Sequence, residues 1–308
     1  MSPLRDHLAD YLRVRRALGF QLERDGYELG RFVEHLDARG IETITVEHAL
    51  AWATRSARAT VSHPMRLRTV RGFTRYLQSI EVPVEVPPSD LLPDRRRRAV
   101  PFLYTDAEIA ALLDAAGTLR PPHRIATVQT LIGLLAVTGM RRGEAIGLDR
   151  DDFDPAAGVL IVRVGKFGKS RELPLHPTTV EALSAYLKRP DRPRSADPTQ
   201  RALLVGDDGR RFSANVANHT FRALTVKAGL RPRSARCRPR QHDLRHTLAV
   251  RTLLDAYRSG KPVGPRIVAL STYLGHSDPS HTYWYLEAAP ELMALAAERL
   301  ERHLEGER

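Results

Sequence analysis

Apolar positions recur at three- and four-residue intervals through the first 80 residues. Leu29, Phe32, Val33 and Leu36 predict one amphipathic helix, with Gly40 as its stop. Val46, Ala49, Leu50 and Ala53 repeat the spacing. A third helix is predicted over 62–79, where Val70, Phe73 and Leu77 form one stripe and Arg68, Arg71 and Arg75 another. The pattern breaks at 83–101. Pro83, Pro87, Pro88, Pro93 and Pro101 forbid a continuous helix there, and Arg95, Arg96, Arg97 and Arg98 set four positive charges side by side. A basic, Pro-rich linker is therefore expected between a helical domain, 1–82, and a second domain, 102–308.

The second domain opens with a capping-box pattern, Thr105 and Glu108, ahead of Ile109, Leu112 and Leu113. Ile125, Val128, Leu131, Ile132 and Leu135 predict a strongly apolar central helix that stops at Gly139. Arg141 then opens a new helix at a tight corner, a good platform for a reactive group. The run VLIVRV (159–164) predicts a strand paired with 171–175 across a turn framed by Gly165 and Gly168 that carries Lys166 and Lys169. Pro177, Val180, Leu183 and Leu187 predict a further helix, 190–201 a loop, and 203–212 a short hairpin turning at Asp207-Asp208-Gly209. A helix over 214–228, an Arg/Pro loop over 231–240 and a helix holding His242 and Arg245 follow. The end of the chain, 290–304, is amphipathic, with Met293, Ala296, Ala297, Leu300 and Leu304 on one side. The fold class expected is mainly α with a small antiparallel β-sheet.

Charge changes this picture. The formal net charge is +12 and the isoelectric point about 10.3, which points to a polyanionic partner, nucleic acid before an anionic membrane. The longest apolar run, around Thr130 to Met140, is about half the length of a spanning helix, and the N-terminus lacks an apolar signal core. A single cysteine, Cys237, cannot close an internal disulfide, which fits a reducing cytoplasm. Against this background the stripe of Arg68, Arg71 and Arg75 and the run Arg95 to Arg98 are candidate DNA-backbone contacts, with a solvated face as the alternative.

The chemistry-bearing residues gather in the last third, in HDLRHT (242–247) and LGHSDPSHTYWYL (274–286). Arginine can fork onto phosphate oxygens, histidine can move protons near neutral pH, and a tyrosine oxygen can form a covalent intermediate. Thr138-Gly139-Met140-Arg141-Arg142-Gly143-Glu144 resembles the TGxRxxE box of the tyrosine recombinases of the phage integrase and Xer type. Lys166 in GKFGKSRELPL matches that family's hairpin lysine. His242 to His246 matches its HxxRH box, and Leu274-Gly275-His276 its LGH box. Tyr285, nine residues beyond His276, matches its nucleophile, although Tyr283 and Tyr273 lie close by. The resemblance covers roughly 100–300 well. The N-terminal part matches only in type, as a helical core-binding domain that clamps DNA ahead of the catalytic domain.

The resemblance implies a site-specific recombinase or integrase that cuts and rejoins double-stranded DNA through a 3′-phosphotyrosyl bond. Arg141 and Arg245 would clamp the non-bridging oxygens and Tyr285 would attack. Lys166 would protonate the leaving 5′ oxygen, His242 would assist proton transfer and His276 would hydrogen-bond the phosphate, while Glu144 would orient the site or support the fold rather than touch DNA. It implies no ATP and no metal, and no Cys/His/carboxylate spacing suggests a metal site. It further implies a homo- or hetero-tetramer on DNA docked through the C-terminal helix, other recombinases as potential partners, and a cytoplasmic, nucleoid-associated location. The Gly/Pro content of Asp255 to Arg266 and the arginine-rich loop before His242 resemble recombinases of mobile elements. Tyr283 and Trp284 are expected to pack beside the nucleophile. A type IB topoisomerase and a catalytically silent DNA-binding accessory protein remain as alternatives.

Overall fold

Helices dominate the computed structural model, which describes residues 2–56, 62–92, 99–163, 170–259, 262–276, 278, 282, 283, 285 and 290–306. The run Arg95 to Arg98, Lys166, Lys169 and Trp284 lie outside the described residues. The chain divides into two units, Met1–Arg98 and Ala99–Arg308.

Among its described residues the first unit contains four helices where the apolar pattern predicts three: α1 (Pro3–Ala17), α2 (Glu23–Asp37), α3 (Val46–Thr54) and α4 (His63–Ser79). The added helix is α1, which buries only Leu4, Leu8 and Tyr11 among many charges. These meet Leu29, Phe32, Val33 and Leu36 of α2, Ala49, Trp52 and Ala53 of α3, and Leu67, Val70, Phe73 and Leu77 of α4. Trp52 is the largest fully buried side chain and lies against Phe32, ring centroids 5.1 Å apart. Truncating it would cost roughly 3–5 kcal/mol. The Thr45 hydroxyl caps α3 by accepting from the His48 amide at 3.2 Å.

Part of the expected linker belongs to this unit. Val84 and Leu92 pack on its core, and the Glu85 amide donates to the Ile44 carbonyl at 2.8 Å. Arg71 donates to the carbonyls of Pro87 and Pro88, each at 2.6 Å. A proline-rich segment has few amide donors of its own, so its carbonyls are satisfied from outside, here by a guanidinium.

In the second unit α5 (Asp106–Ala116) begins with the predicted capping box of Thr105 and Glu108. Helix α6 (Pro122–Thr138) is buried on most sides, through Val128, Leu131, Ile132, Leu134 and Leu135 among others, which makes it the centre of the larger core. Helix α7 (Arg142–Gly147) leads to a three-stranded antiparallel sheet in the order β1 (Phe153–Asp154), β2 (Val159–Val162), β3 (Arg171–Pro174). Leu160 faces Leu173 and Val162 faces Arg171 across the β2–β3 pair. The two-residue β1 escapes sequence patterning because it is too short to show a period. Helices α8 (Pro177–Leu187), α9 (Ala214–Lys227), α10 (Gln241–Arg258) and α11 (Val263–Leu274) follow, and α12 (Pro290–Gly306) ends the chain. The predicted hairpin over 203–212 is reduced to an isolated bridge between Val205 and Arg211. No helix among the described residues is long and apolar enough to cross a membrane.

A smaller core joins α10, α11 and the start of α12, through Ala249, Val250, Leu253, Ile267, Leu270, Leu274 and Leu292, and it includes Tyr285. Leu292 is fully buried whereas Met293 is 54% exposed, so the apolar face of α12 is rotated from the stripe predicted through Met293. An ion pair between Arg258 and Glu291 also fixes α12 to α10.

Candidate active site

The end of α6 places the first arginine. Gly139 terminates this helix at φ +59°, and a Cβ there would come within 2.8 Å of Leu248 Cδ2 and 3.0 Å of Leu274 Cδ2. Only glycine suits both the left-handed backbone and the space. Two residues on, Arg141 is the N-cap of α7. Its amide donates to Glu144 Oε2 at 2.8 Å and its Nη1 to Glu144 Oε1 at 2.7 Å, while Nη2 donates to the Gly275 carbonyl at 3.3 Å. Glu144 also accepts from Arg171 Nη2 at 2.8 Å and Nη1 at 3.3 Å. Burial alone would raise this carboxyl, but hydrogen bonds from Arg171 and Arg141 and the charge of Arg171 outweigh it and hold it down at about 2.

Helix α10 places the second arginine and two histidines. Asp243, fully buried, is gripped through both oxygens by Arg240 at 3.0 and 2.8 Å, which fixes the first turn. One turn on, Arg245 is 2% exposed and donates to the Gly139 carbonyl at 2.8 Å and the Leu274 carbonyl at 2.7 Å. It therefore ties together the ends of α6 and α11, and its guanidinium is also hydrogen-bonded to the Tyr285 side chain. His242 lies one turn before His246, and their rings meet edge to face at 4.7 Å. His242 reaches solvent. Loss of hydration on its packed side, then the charges of Arg245, Arg141 and Arg240, lower its imidazole to about 4, so the ring is neutral at pH 7.

The end of α11 brings in the remaining groups. Gly275 takes φ +67°, and a Cβ on it would stand 2.7 Å from Arg171 Nη1. His276 Nδ1 pairs with the Thr282 hydroxyl at 2.8 Å. Tyr285, 2% exposed, lies edge to face with His246 at 5.2 Å and stacks with His276 at 5.9 Å and an interplanar angle of 23°. Tyr283 is 52% exposed, so it does not pack in beside Tyr285 as expected. Burial raises the hydroxyl pKa of Tyr273, and its backbone carbonyl accepts from Arg171 Nε at 3.0 Å.

The structure thus brings Arg141, His242, Arg245, His276 and Tyr285 into one linked cluster, while Lys166 lies outside the described residues. Arg171 and the wedging position of His246 escape sequence reading, because both depend on contacts between distant segments. Of the predicted backbone contacts on α4, Arg68 and Arg75 are exposed, whereas Arg71 is engaged with the prolines of its own unit. Cys237 is buried and its thiol donates to the Pro101 carbonyl. Among the described residues no group of three or more His, Cys, Asp and Glu side chains could hold a metal ion.

Comparison with known proteins gives one consistent picture. The sequence profile of the phage integrase family matches residues 103–291. A Sinorhizobium fredii protein named as an integrase/recombinase, y4rB, is 41% identical over 99% of this chain and 99% of its own. The tyrosine recombinase XerD of Mycobacterium tuberculosis is 31% identical over 90% of each chain. Among solved structures, the Tn1549 transposon integrase in complex with transposon right end DNA is similar with a TM-score of 0.65 over 98% of this chain and all of that one, at 19% identity. A lambda integrase dimer bound to a COC′ core site gives 0.61 over 91% and 94%, at 16% identity. At such identities these two likenesses carry the fold.

Proposed function

The chain belongs to the phage integrase family and is a tyrosine-type site-specific DNA recombinase; from that premise we propose that Arg141, Lys166, His242, Arg245, His276 and Tyr285 are the residues with which it cuts and rejoins DNA. The observation that carries this assignment is the position of Tyr285 against His246 and Arg245 of α10 and His276 of the turn after α11. Tyr283, mostly in solvent, has no such surroundings.

The chemistry follows from the groups. The tyrosine oxygen attacks the phosphorus, a phosphotyrosyl bond forms as the bond to the 5′ oxygen breaks, and attack by a 5′ hydroxyl reverses the step. Negative charge grows on the non-bridging oxygens in the transition state. Arg141 and Arg245 each commit only part of a five-donor fork to protein oxygens, so donors remain for phosphate. His242, neutral at pH 7, accepts the tyrosine proton, and Lys166 donates to the departing 5′ oxygen. Because Tyr285 is buried in the free protein, engaging DNA has to uncover it. The phosphotyrosyl bond conserves the energy of the broken one, so rejoining needs no nucleotide.

The first unit is proposed as the core-binding domain, with Arg68 and Arg75 on its α4 as backbone contacts and the Arg95 to Arg98 run as another. Exchange between two duplexes needs four active sites, and the proposed assembly is a cyclic tetramer on DNA in which α12 reaches a neighbouring protomer. The test is covalent trapping: the protein is incubated with a nicked duplex carrying a candidate element end and then denatured. A denaturation-resistant adduct that is absent in Tyr285→Phe supports the assignment. An adduct that persists in Tyr285→Phe overturns it.

A further inference from the structure

Arg171 has no place in the set of groups just assigned, yet it touches the site's framework at α7 and at the end of α11. It stands at the first position of β3, with its side chain 12% exposed. Its three nitrogens reach two distant places. Nε donates to the Tyr273 carbonyl at the end of α11, and both terminal nitrogens grip Glu144 of α7, at 2.8 and 3.3 Å. It fills the space that the missing side chain of Gly275 leaves open, directly before His276.

The consequence concerns Arg141. Glu144 is 8% exposed in its side chain and remains ionised to about pH 2. A buried carboxylate with one cationic partner binds that partner strongly, because little water competes for either charge. Arg141 is the more exposed of the two arginines on Glu144, with 28% of its side chain accessible against 12% for Arg171. Arg171 makes the two-pronged contact, and Arg141 gives the carboxylate a single guanidinium nitrogen. With Arg171 present, Glu144 shares its charge between two arginines and holds Arg141 through one guanidinium nitrogen only, which orients Arg141 and leaves its other donors to be used elsewhere.

We propose that Arg171 is a positioning residue: by neutralising Glu144 it leaves the Arg141 guanidinium available to a DNA phosphate, and by the same side chain it holds the Gly275 corner that precedes His276. This rests on the assignment of Arg141 and Tyr285 as site residues. A sequence motif does not expose the role, since Arg171 lies 27 residues from Glu144 and 102 from Tyr273.

The test separates charge balance from mere folding. Adduct formation with the nicked duplex is measured under single-turnover conditions for the parent protein, Arg171→Met, Arg171→Lys and the double variant Arg171→Met/Glu144→Gln, each first checked for a native circular dichroism spectrum. Arg171→Met should slow cleavage roughly 10- to 100-fold, the equivalent of one charge-assisted hydrogen bond, while half-site binding changes much less. Arg171→Lys should recover part of the rate, because it keeps the charge and loses the fork. In the double variant the carboxylate no longer exists to capture Arg141, and most of the lost rate should return. A folded double variant as slow as Arg171→Met overturns the inference. If Arg171→Met fails to fold, the comparison of Arg171→Lys with Arg171→Lys/Glu144→Gln decides: a faster double variant supports the inference and an equal or slower one overturns it. A parent protein that forms no Tyr285 adduct at all overturns the site assignment itself, and this inference with it.

Discussion

Tyr285 and His276 stack nearly parallel, planes 23° apart, although eight residues of chain lie between them. Thr282, on the helical turn between them, accepts or donates to the His276 ring and holds it in that orientation. The tyrosine is therefore held in its place by the histidine ahead of it in the chain, and Tyr283, on the other face of the same turn, is left to solvent. Tyr285→Phe should abolish the covalent adduct while leaving binding to the duplex within about twofold. Tyr283→Phe should retain the adduct. Denaturing gel electrophoresis of both variants with the nicked duplex decides between them.

The buried arginine carries two burdens. Arg245→Ala removes a proposed phosphate ligand, and it also strands the carbonyls of Gly139 and Leu274, which costs roughly 1–3 kcal/mol for each unsatisfied group. We expect both lost cleavage and a clearly lowered Tm. Arg141→Ala, at a more exposed position, should lose cleavage with a smaller change in Tm. Thermal unfolding of the two variants side by side checks the contrast, and equal destabilisation would contradict it.

The pH dependence follows from two shifts. Glu144 falls from 4.5 to about 2 on folding, so its contribution to stability is fully present above pH 4.5 and is lost as pH falls toward 2. At neutral pH it amounts to roughly 3 kcal/mol. Glu144→Gln should therefore flatten the acid limb of the stability curve. His242 falls from 6.5 to about 4, so the unfolded chain takes up its proton first and stability declines as pH drops from 6.5 toward 4. His242→Gln should remove that decline. Urea denaturation between pH 3 and 7 reads both effects.

How much of this was legible follows from where each interaction lies along the chain. Arg141, His242, Arg245, His276 and Tyr285 sit in short boxes whose internal spacing reflects one helix face or one corner, and such local geometry survives in sequence. Helix α1 was not legible, because three buried residues among charges give little periodicity. Arg71 reads as one member of an arginine stripe, yet its contacts with Pro87 and Pro88 depend on the chain folding back. In α12 the adjacent Leu292 and Met293 are both apolar, so which of them is buried is decided by packing in the small core with α10 and is not legible from the pattern alone.

Arg71 accordingly separates from its neighbours. Arg71→Ala should lower the stability of the first unit by roughly 1–3 kcal/mol, through two lost charge-assisted bonds to carbonyls. Arg68→Ala and Arg75→Ala, both exposed, should leave stability within about 0.5 kcal/mol and weaken DNA binding instead, with a shallower dependence on salt. Denaturation of each variant, with binding isotherms at several salt concentrations, distinguishes the roles. An Arg75→Ala variant with an unchanged salt slope would remove that residue from the DNA contact.

The last helix has two faces with different expected functions. Leu292 is fully buried on α10, Arg258 pairs with Glu291 beside it, and Tyr285 belongs to the same small core. This is an intramolecular anchor, close to the proposed nucleophile. Met293, one residue on and 54% exposed, points away from it and is available to a second protomer. Substituting Leu292 by Ala should destabilise the protein by roughly 2–5 kcal/mol and disturb Tyr285, because a cavity opens beside it. Substituting Met293 by Glu should leave the fold and half-site binding intact, since no packed contact is lost, while a charge at a docking face opposes assembly. Under the proposed tetramer, Met293→Glu therefore still forms the Tyr285 adduct on a nicked half-site but fails to join two duplexes. Analytical ultracentrifugation of the protein–DNA complex and a two-duplex recombination assay measure this. Full recombination by Met293→Glu would show that the exposed face of α12 is not the docking surface. Loss of the half-site adduct in the same variant would place Met293 within the intramolecular anchor instead.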